Sequence, residues 1–450
     1  MKVLIRNGKV CFENSIEAAD ILIEDGRIAA VGSFPDGIPA AKVISARGCF
    51  VLPGFIDIHT HIDDQIGRFY LADTYQSGTQ VAVQNGITTL YTFITQDWQE
   101  RLSEAIADAK AKAIGHCYCD YLWHITPTVF DESGHREIEK AIQTGLRSIK
   151  LYTTYKKAGI FSDYYQIAEV VRRYAPREVQ FLVHCEDEGV LNQVDTSRLD
   201  LTKAFTHTLM RPKEAEIKAI TEILKIATKN EARVHIVHVS TPEGVELVQR
   251  AKDKAPVTCE TAPQYLWLNE SCLQRADGHR WLCTPPLRSE PDQQRLRALA
   301  ASGAIDLFAT DHCAFRRADK DNWHKDFRDV PNGIAGIGAL PHLAYALLQP
   351  QGDNALIELA QRIATAPAKI FRLYPQKGTI QVGSDADLSI VDINGKARAI
   401  QSSLEDAYET YPHLTSPLDF KYVLVGGELV VSNNQLIEGI LPEGGCLCWN

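Results

Sequence analysis

The sequence predicts an α/β fold in which a (β/α)₈ TIM-type barrel is joined to a small β-sandwich domain. Two observations predict it. Short strand patterns split by turns occupy both ends of the chain, and strand-like runs alternate with helical patterns through the middle. With 450 residues the chain is too long for one ordinary core but fits a large barrel with an added domain. We expect residues 53–375 to form the barrel, and 1–52 together with 376–450 to form the β-sandwich.

The two ends of the chain carry similar strand patterns. KVLIRNGKVCF and DILIEDGRIAAVG open the chain, and Asn7-Gly8 and Asp25-Gly26 within them are hairpin-turn signals. GTIQVGSDADLSIVDI and YVLVGGELVV repeat the pattern near the end. Each set is too short to bury a core alone, so both are predicted to share one domain.

The middle of the chain has the alternation typical of parallel sheets flanked by helices. Helical patterns such as KEAEIKAITEILKIATKNEA and QQRLRALAASGAI separate apolar strand-like runs. At least six such units lie between residues 53 and 375, which favours a closed barrel over an open sheet. Segment 316–330 interrupts the pattern with many charges. We interpret it as a solvated surface loop, with a mobile lid as the alternative.

Composition excludes several classes of protein. A formal net charge of −10 argues against nucleic-acid binding, and the lack of an 18-residue apolar run excludes membrane insertion. Eleven cysteines, an odd number, without a signal peptide predict reduced thiols in a cytoplasmic protein. The pairs Cys117/Cys119 and Cys446/Cys448 lack the spacing and His partners of a zinc site, so we expect buried or incidental thiols.

Six potential metal ligands each lie at or near the end of a short apolar run. They are His59 and His61 after PGFID, Lys150 after GLRSI, His184 after FLV, His238 after HIV, and Asp311 after IDLFAT. Active sites of such barrels lie at the carboxyl ends of the strands. The sequence therefore predicts that the six side chains converge on one rim and hold two metal ions.

Strand geometry separates candidate ligands from their neighbours. His59 and His61 are two residues apart, so on a strand both face the same way. His235 and His238 are three apart and face opposite ways, and we place His238 inward and give His235 a structural role. His312 is adjacent to Asp311, so on a strand its side chain faces the opposite way, and we do not count it among the candidate ligands. Taken singly, a His at such a position is more often a buried structural or capping residue than a ligand, and Asp311 fits a helix N-cap; the six together favour a metal site.

Lys150 is the unusual member, because burying a Lys in an apolar strand costs free energy unless it has a partner. One explanation is a buried salt bridge. The other is that the desolvated amine becomes neutral and reacts with CO₂ to form a carbamate. A carbamate is a carboxylate on a long arm, able to bridge two cations about 3.5–4 Å apart.

Motifs along nearly the whole chain resemble the amidohydrolase superfamily, in its cyclic-amidohydrolase branch of dihydropyrimidinases and hydantoinases. They are PGFIDIHTH, SGTQVAVQNGITT, SIKLYTTY, VHCED, HVST, ETAPQYL, CTPPLR, TDHCAF, PNGIAGIG and GSDADLSIVD. The resemblance implies two divalent metal ions, usually zinc, held by the six residues and bridged by N-carboxylated Lys150 and a hydroxide. It also implies a homo-oligomer, a tetramer or a dimer.

The same resemblance implies further roles. Tyr155, five residues after Lys150, would bind the oxyanion, and main-chain groups at Thr284 and Asn332 would hold the amides of the substrate. Asp311 would act as general base and then as general acid. The expected reaction opens the ring amide of a dihydropyrimidine or a 5-substituted hydantoin and yields an N-carbamoyl amino acid.

Related activities remain alternatives. Dihydroorotases share much of the pattern but carry an Arg two residues after the second His, where this chain has Asp63 followed by Asp64. Two acidic residues disfavour a carboxylate substrate, so we expect an uncharged ring and keep dihydroorotase and allantoinase as alternatives. HCED stands where HAEN is usual, and Phe69 and Tyr70 in the altered loop either line the pocket or pack the loop. A non-catalytic dihydropyrimidinase-like scaffold protein is ranked lower, because those relatives have lost metal ligands.

Overall fold

The structure, a computed structural model, describes residues 2–322, 324 and 326–447. Its strands are β1 (Lys2–Cys11), β2 (Ile16–Glu24), β3 (Arg27–Gly32), β4 (Lys42–Ser45), β5 (Phe50–Pro53), β6 (Phe55–His61), β7 (Gln65–Ile66), β8 (Phe69–Tyr70), β9 (Ile87–Thr95), β10 (Asp120–Thr126), β11 (Ser148–Tyr152), β12 (Gln180–His184), β13 (Val234–Ile236), β14 (Val257–Thr261), β15 (Leu307–Phe308), β16 (His312–Cys313), β17 (Leu388–Asp392), β18 (Arg398–Ala399), β19 (Thr415–Ser416), β20 (Asp419–Val425), β21 (Glu428–Ser432) and β22 (Gln435–Leu436). The α-helices are α1 (Tyr75–Gln84), α2 (Leu102–Ala113), α3 (Glu132–Gln143), α4 (Tyr164–Tyr174), α5 (Glu188–Leu191), α6 (Thr206–Met210), α7 (Lys213–Asn230), α8 (Pro242–Ala251), α9 (Pro263–Trp267), α10 (Glu290–Ala301), α11 (Arg317–Asp321), α12 (Leu340–Leu348), α13 (Ala355–Ala360) and α14 (Ala366–Ile370).

The middle of the chain forms the predicted barrel. In the described part of the chain its parallel strands run in the order β15, β14, β13, β12, β11, β10, β9, β6 and β16. The two short end strands occupy one position, because β15 pairs with β14 and β16 pairs with β6. The sheet therefore closes on itself with eight strand positions, which confirms the (β/α)₈ fold class. Closure also places the strand that carries His59 and His61 beside the segment that carries Asp311.

The two ends of the chain meet in a second sheet. Its strands run in the order β22, β21, β20, β17, β5, β1, β2 and β3, with β4 paired to β1. The two halves join where β17 pairs antiparallel with β5. Buried Val3, Ile21, Leu388 and Leu424 belong to one apolar cluster under this sheet. The small β domain is thus built from both termini, and the boundaries placed at residues 52/53 and 375/376 stay a prediction.

One of the two hairpin-turn predictions was wrong. Asp25 and Gly26 have φ of 49° and 82° and link β2 to β3 as expected. Asn7, with φ of 60°, instead lies inside β1, where the pairing with β2 shifts register between Ile5 and Gly8. A left-handed Asn serves a β-bulge as well as a turn, so the dipeptide alone does not distinguish them.

Segment 316–330 is more ordered than a solvated loop. It contains helix α11, and the side chains of Lys320 and Phe327 are buried. The surface-loop interpretation was therefore wrong for these two residues. Trp323 and Lys325 lie outside the described residues, and a mobile lid stays a prediction.

Cys117 and Cys119 are free and buried, as the sequence predicted. The second CxC pair includes Cys448, which lies outside the described residues. Over the described ranges, no helix combines the length and apolar character needed to cross a bilayer.

Candidate metal centre and active-site cavity

A cavity of about 600 Å³ opens at the carboxyl ends of the barrel strands. All nine site residues predicted from the sequence line it: His59, His61, Lys150, Tyr155, His184, His238, Thr284, Asp311 and Asn332. The structure thus brings together residues that are spread over more than half of the chain. Their individual roles stay predictions.

His59, His61 and Asp311 form the first group of potential ligands. Oδ1 of Asp311 lies 3.2 Å from Nε2 of His59 and 3.7 Å from Nε2 of His61. Candidate ligand atoms from the three residues all lie within 4.8 Å of one another. Buried Asp57 aligns this group, because its carboxylate accepts hydrogen bonds from the main-chain N–H and the hydroxyl of Thr310.

His184 and His238 form the second group, with Nδ1 of His184 2.9 Å from Nε2 of His238. His184 ends β12, but His238 lies two residues beyond the end of β13 and has φ of 39°. The strand that the sequence predicted to run to His238 therefore ends at Ile236. A left-handed turn, not the pleat of a strand, brings this imidazole to the cavity. The ring centroids of His59 and His238 are 5.3 Å apart, so the two groups are adjacent.

Lys150 lies on β11 and is 1% exposed. Its Nζ is 5.0 Å from the ring centroid of Phe93 and 5.1 Å from that of Tyr152. Within the described ranges no carboxylate oxygen lies within 4 Å of this Nζ, and Glu260 and Asp311 act on it only through space, so the salt-bridge explanation finds no partner. Burial lowers the pKa of Lys150 to about 8, although the charges of Glu260 and Asp311 oppose the shift. Neutral amine, the form that reacts with CO₂, is therefore more accessible than for an exposed Lys.

Two buried carboxylates that the sequence did not single out orient the histidines. Glu260 on β14 is hydrogen-bonded to Nδ1 of His59 and lies 3.0 Å from Nε2 of His235. Glu186 lies 2.9 Å from Nε2 of His184 and also pairs with Arg211. Each carboxylate occupies one ring nitrogen and leaves the other facing the cavity, an arrangement common behind metal-binding histidines. The only signals in the sequence were Glu186, one of two acidic residues in VHCED, and Glu260, the acidic residue of ETAPQYL.

The two histidines excluded by parity have structural partners. His235 bonds to Glu260 and Thr258. Nε2 of His312 lies 3.0 Å from Asp73, and its Nδ1 accepts the main-chain N–H of Gly336. Both rings are therefore engaged away from the candidate ligand groups.

The electrostatics of the site suit bound cations. Burial drives the pKa of His61 and of His238 well below the usual value, which keeps these rings neutral with a free lone pair. Burial opposes ionisation of Glu186, but Arg211 and His184 lower its pKa to about 2. Nδ1 of His238 is buried without a hydrogen-bond partner among the described residues. Neutral imidazoles are donors that divalent transition metals such as zinc accept, and an ionised carboxylate behind such a ring raises its basicity.

Tyr155 faces the second group, its ring centroid 5.2 Å from that of His184. It has φ of 69°, and the guanidinium of Arg211 lies 5.1 Å from its ring centroid. Burial raises the pKa of Tyr155, while Arg211 and a hydrogen bond with Thr284 oppose the shift. The phenol therefore stays protonated and can donate a hydrogen bond into the cavity.

The cavity mouth differs in part from what the sequence suggested. Asp64 lines it, whereas the Asp63 carboxylate accepts the main-chain N–H of Tyr75. Phe69 packs against Phe315, with ring centroids 6.1 Å apart, and Tyr70 is 66% exposed. Phe69 therefore packs the loop and does not line the cavity. The apolar lining comes instead from Ile66, Trp98 and Ile160.

Comparisons with known proteins agree on one family. The amidohydrolase family model matches residues 50–430. The D-hydantoinase of Rhizobium radiobacter is 31% identical over 445 residues, covering 97% of this chain and 96% of the relative. The D-hydantoinase of Streptomyces coelicolor is 34% identical over 407 residues, 87% of this chain and 85% of the relative.

Solved structures are similar over the whole chain. The dihydropyrimidinase from Brevibacillus agri NCHU1002 superposes with a TM-score of 0.94 at 30% identity, covering 100% of this chain and 99% of the other. The L-hydantoinase (dihydropyrimidinase) from Arthrobacter aurescens gives a TM-score of 0.87 at 26% identity, with 98% of both chains covered.

Proposed function

The chain belongs to the amidohydrolase family, and from this premise we propose that it is a metal-dependent cyclic amidohydrolase. Its substrate would be a dihydropyrimidine or a 5-substituted hydantoin, and its product an N-carbamoyl amino acid. The observation that carries the proposal is the convergence of six ligand-type side chains in one cavity of a chain whose relatives are hydantoinases and dihydropyrimidinases.

The residues present fit two divalent cations, which we propose are zinc. His59, His61 and Asp311 would hold one, and His184 with His238 would hold the other. Lys150, as its carbamate, would be the ligand that the two cations share. When bound, the cations supply Lewis acidity that activates water and polarises the amide carbonyl.

The chain's own groups would then move the proton and hold the charge. Asp311 would accept the proton of the attacking water and return it to the ring nitrogen as the C–N bond breaks, so that one carboxylate serves as base and then acid. The Tyr155 hydroxyl would donate to the oxygen that becomes negative. Main-chain groups at Thr284 and Asn332 would hold the amide edge of the ring.

The cavity mouth favours an uncharged ring. A carboxylate on the substrate would lie beside Asp64 with no cationic side chain at the mouth among the described lining residues. Ile66, Trp98 and Ile160 offer apolar surface to a substituent on the ring. We therefore favour a small uncharged cyclic amide or ureide as substrate.

We also propose that the protein is cytoplasmic and forms a homo-oligomer. The free, buried thiols of Cys117 and Cys119 support a cytoplasmic location. Resemblance to the cyclic-amidohydrolase branch supports a homo-oligomer, a tetramer or a dimer.

A substrate panel tests the proposal. One metal-loaded preparation is assayed with dihydrouracil, phenylhydantoin, allantoin and dihydroorotate, and kcat/KM is compared. We expect dihydrouracil or phenylhydantoin to be preferred. Preference for dihydroorotate or allantoin would assign the corresponding alternative activity. A protein that binds no metal and hydrolyses none of the four after metal supplementation would be a scaffold instead.

A further inference from the structure

Lys320, on helix α11, is a buried ammonium outside the candidate metal centre. It is 2% exposed, and its Nζ donates to the main-chain oxygens of Leu282, at 3.1 Å, and Pro331, at 2.8 Å. In the part of the chain that the structure describes, no carboxylate oxygen lies within 4 Å of this Nζ; the ring centroid of Phe315 is 5.9 Å away. The two main-chain carbonyls therefore take the place of a counter-ion for the buried ammonium. Its hydrogen bonds in turn restrain the backbone at these two carbonyls.

The two carbonyls belong to two separate loops, and the residues that follow each carbonyl line the cavity. A trans peptide is planar, so its C=O and the N–H that follows point in opposite directions. Fixing the Leu282 carbonyl thus fixes the N–H of Cys283, and fixing the Pro331 carbonyl fixes the N–H of Asn332. Both Cys283 and Asn332 line the cavity.

Further contacts tie the same loops together. The main-chain N–H of Gly333 donates to the Leu282 oxygen at 2.9 Å, so this oxygen accepts from both Lys320 and the other loop. A side chain at Gly333 would place its Cβ 2.4 Å from the Cys313 oxygen, so this loop also packs closely against β16. Nε2 of His207 lies 2.9 Å from the Cys283 oxygen and restrains the next peptide plane.

We propose that Lys320 is a positioning residue for substrate binding. Its ammonium holds the peptide planes 282–283 and 331–332 in one orientation, so that the main-chain groups of two separate loops present a single frame to the amide edge of the ring. This role rests on the proposed function, because it presumes that a cyclic amide binds there. Lys320 itself does not touch the substrate.

The substitution Lys320→Met tests the role by removing the ammonium while keeping most of the side-chain volume. We expect KM for the preferred ring substrate to rise about 10- to 100-fold, because small displacements of binding groups have effects of this order. Metal content should stay at the wild-type level and kcat within about threefold. Arg317→Met is the matched control: it removes a cation from the same helix, at an exposed side chain that pairs with Asp406, and should leave KM unchanged.

Chemical rescue separates positioning from a merely structural effect. In Lys320→Ala, added ethylammonium or propylammonium should lower KM saturably, whereas equal concentrations of sodium chloride should not. If Lys320→Met does not fold, Lys320→Gln is used instead. Because Gln keeps a hydrogen-bond donor but not the charge, we expect its KM to lie between those of the wild type and a variant without a donor.

Three results would overturn the role: an unchanged KM in the folded variant, a loss of activity confined to kcat and accompanied by metal loss, or the absence of rescue. The activity of the wild-type protein distinguishes failure of the Lys320 role from failure of the proposed function. A wild-type protein that hydrolyses no cyclic amide overturns the function and this role with it, whereas an active wild type with an unmoved KM in the variant overturns the role alone.

Discussion

Glu260 offers the sharpest test of the candidate metal centre, through the substitution Glu260→Gln. Its carboxylate is 1% exposed. One oxygen, Oε1, is hydrogen-bonded to Nδ1 of His59 and accepts the main-chain N–H of His238 at 3.2 Å. The other, Oε2, lies 3.0 Å from Nε2 of His235. Glutamine has nearly the same shape but only one acceptor oxygen. In the variant, the NH₂ group must therefore face an imidazole nitrogen that donates a hydrogen bond to the carboxylate in the wild-type protein.

The size of the effect follows from which ring the NH₂ faces. If it faces His59, this ring must move its proton to Nε2, the atom that lies 3.2 Å from Asp311 and would bind metal. If it faces His235, His59 keeps a hydrogen bond to a neutral amide oxygen in place of a carboxylate. In either case His59 loses its charged partner. A hydrogen bond to a charged group contributes about 1.5–3 kcal/mol, which at about 1.4 kcal/mol per factor of ten is roughly 10- to 100-fold. Loss of an outer partner of a metal ligand costs about the same, 10- to 100-fold. We expect metal affinity to fall within this range.

The measurement is a metal titration of the apo-protein against a chromophoric competing chelator, which needs no catalytic activity. Glu216→Gln is the control. Glu216 is also a buried carboxylate, but its hydrogen bonds go to Ser240 and Arg288 and not to a candidate ligand. Affinity within twofold of wild type in Glu260→Gln, or equal losses in both variants, would refute the orienting role of Glu260.

Four further outcomes are expected. Asp311→Asn should lower kcat about 10²- to 10⁴-fold, the usual effect of losing a general acid–base, as measured by steady-state kinetics at matched metal content; a change in KM alone would contradict that role. Lys150→Ala should lose metal and activity, and added acetate or propionate should restore part of both; metal loading and activity equal to wild type would rule out the carbamate. Tyr155→Phe should lower kcat about 10²- to 10³-fold with little change in metal content, and full activity would remove Tyr155 from oxyanion binding. Burial raises the pKa of Asp64 from 3.8 to about 6, so between these pH values the native state binds more protons than the unfolded state and stability falls as pH rises. Asp64→Asn should therefore raise the Tm relative to wild type more at pH 7 than at pH 4, and a difference independent of pH would contradict the shift.

The sequence by itself determined the fold class and nine of the residues that line the cavity. Alternating strand and helix patterns require a parallel sheet, and parallel strands place all their carboxyl ends on one rim. His59, His61, Lys150 and His184 lie on or at the end of regular strands, so position along the strand was enough to predict that they meet.

Only the tertiary structure decided how these residues are held. His238 reaches the cavity through a left-handed turn beyond its strand, and Asp311 lies in a left-handed conformation between two short strands, and neither turn has a signature in the sequence. Glu260 orients a histidine 201 residues away, and Lys320 joins two loops separated by about 50 residues. Periodicity reports the local direction of a side chain, whereas these contacts depend on how the closed barrel brings distant segments together, and that closure is set by packing of the whole chain.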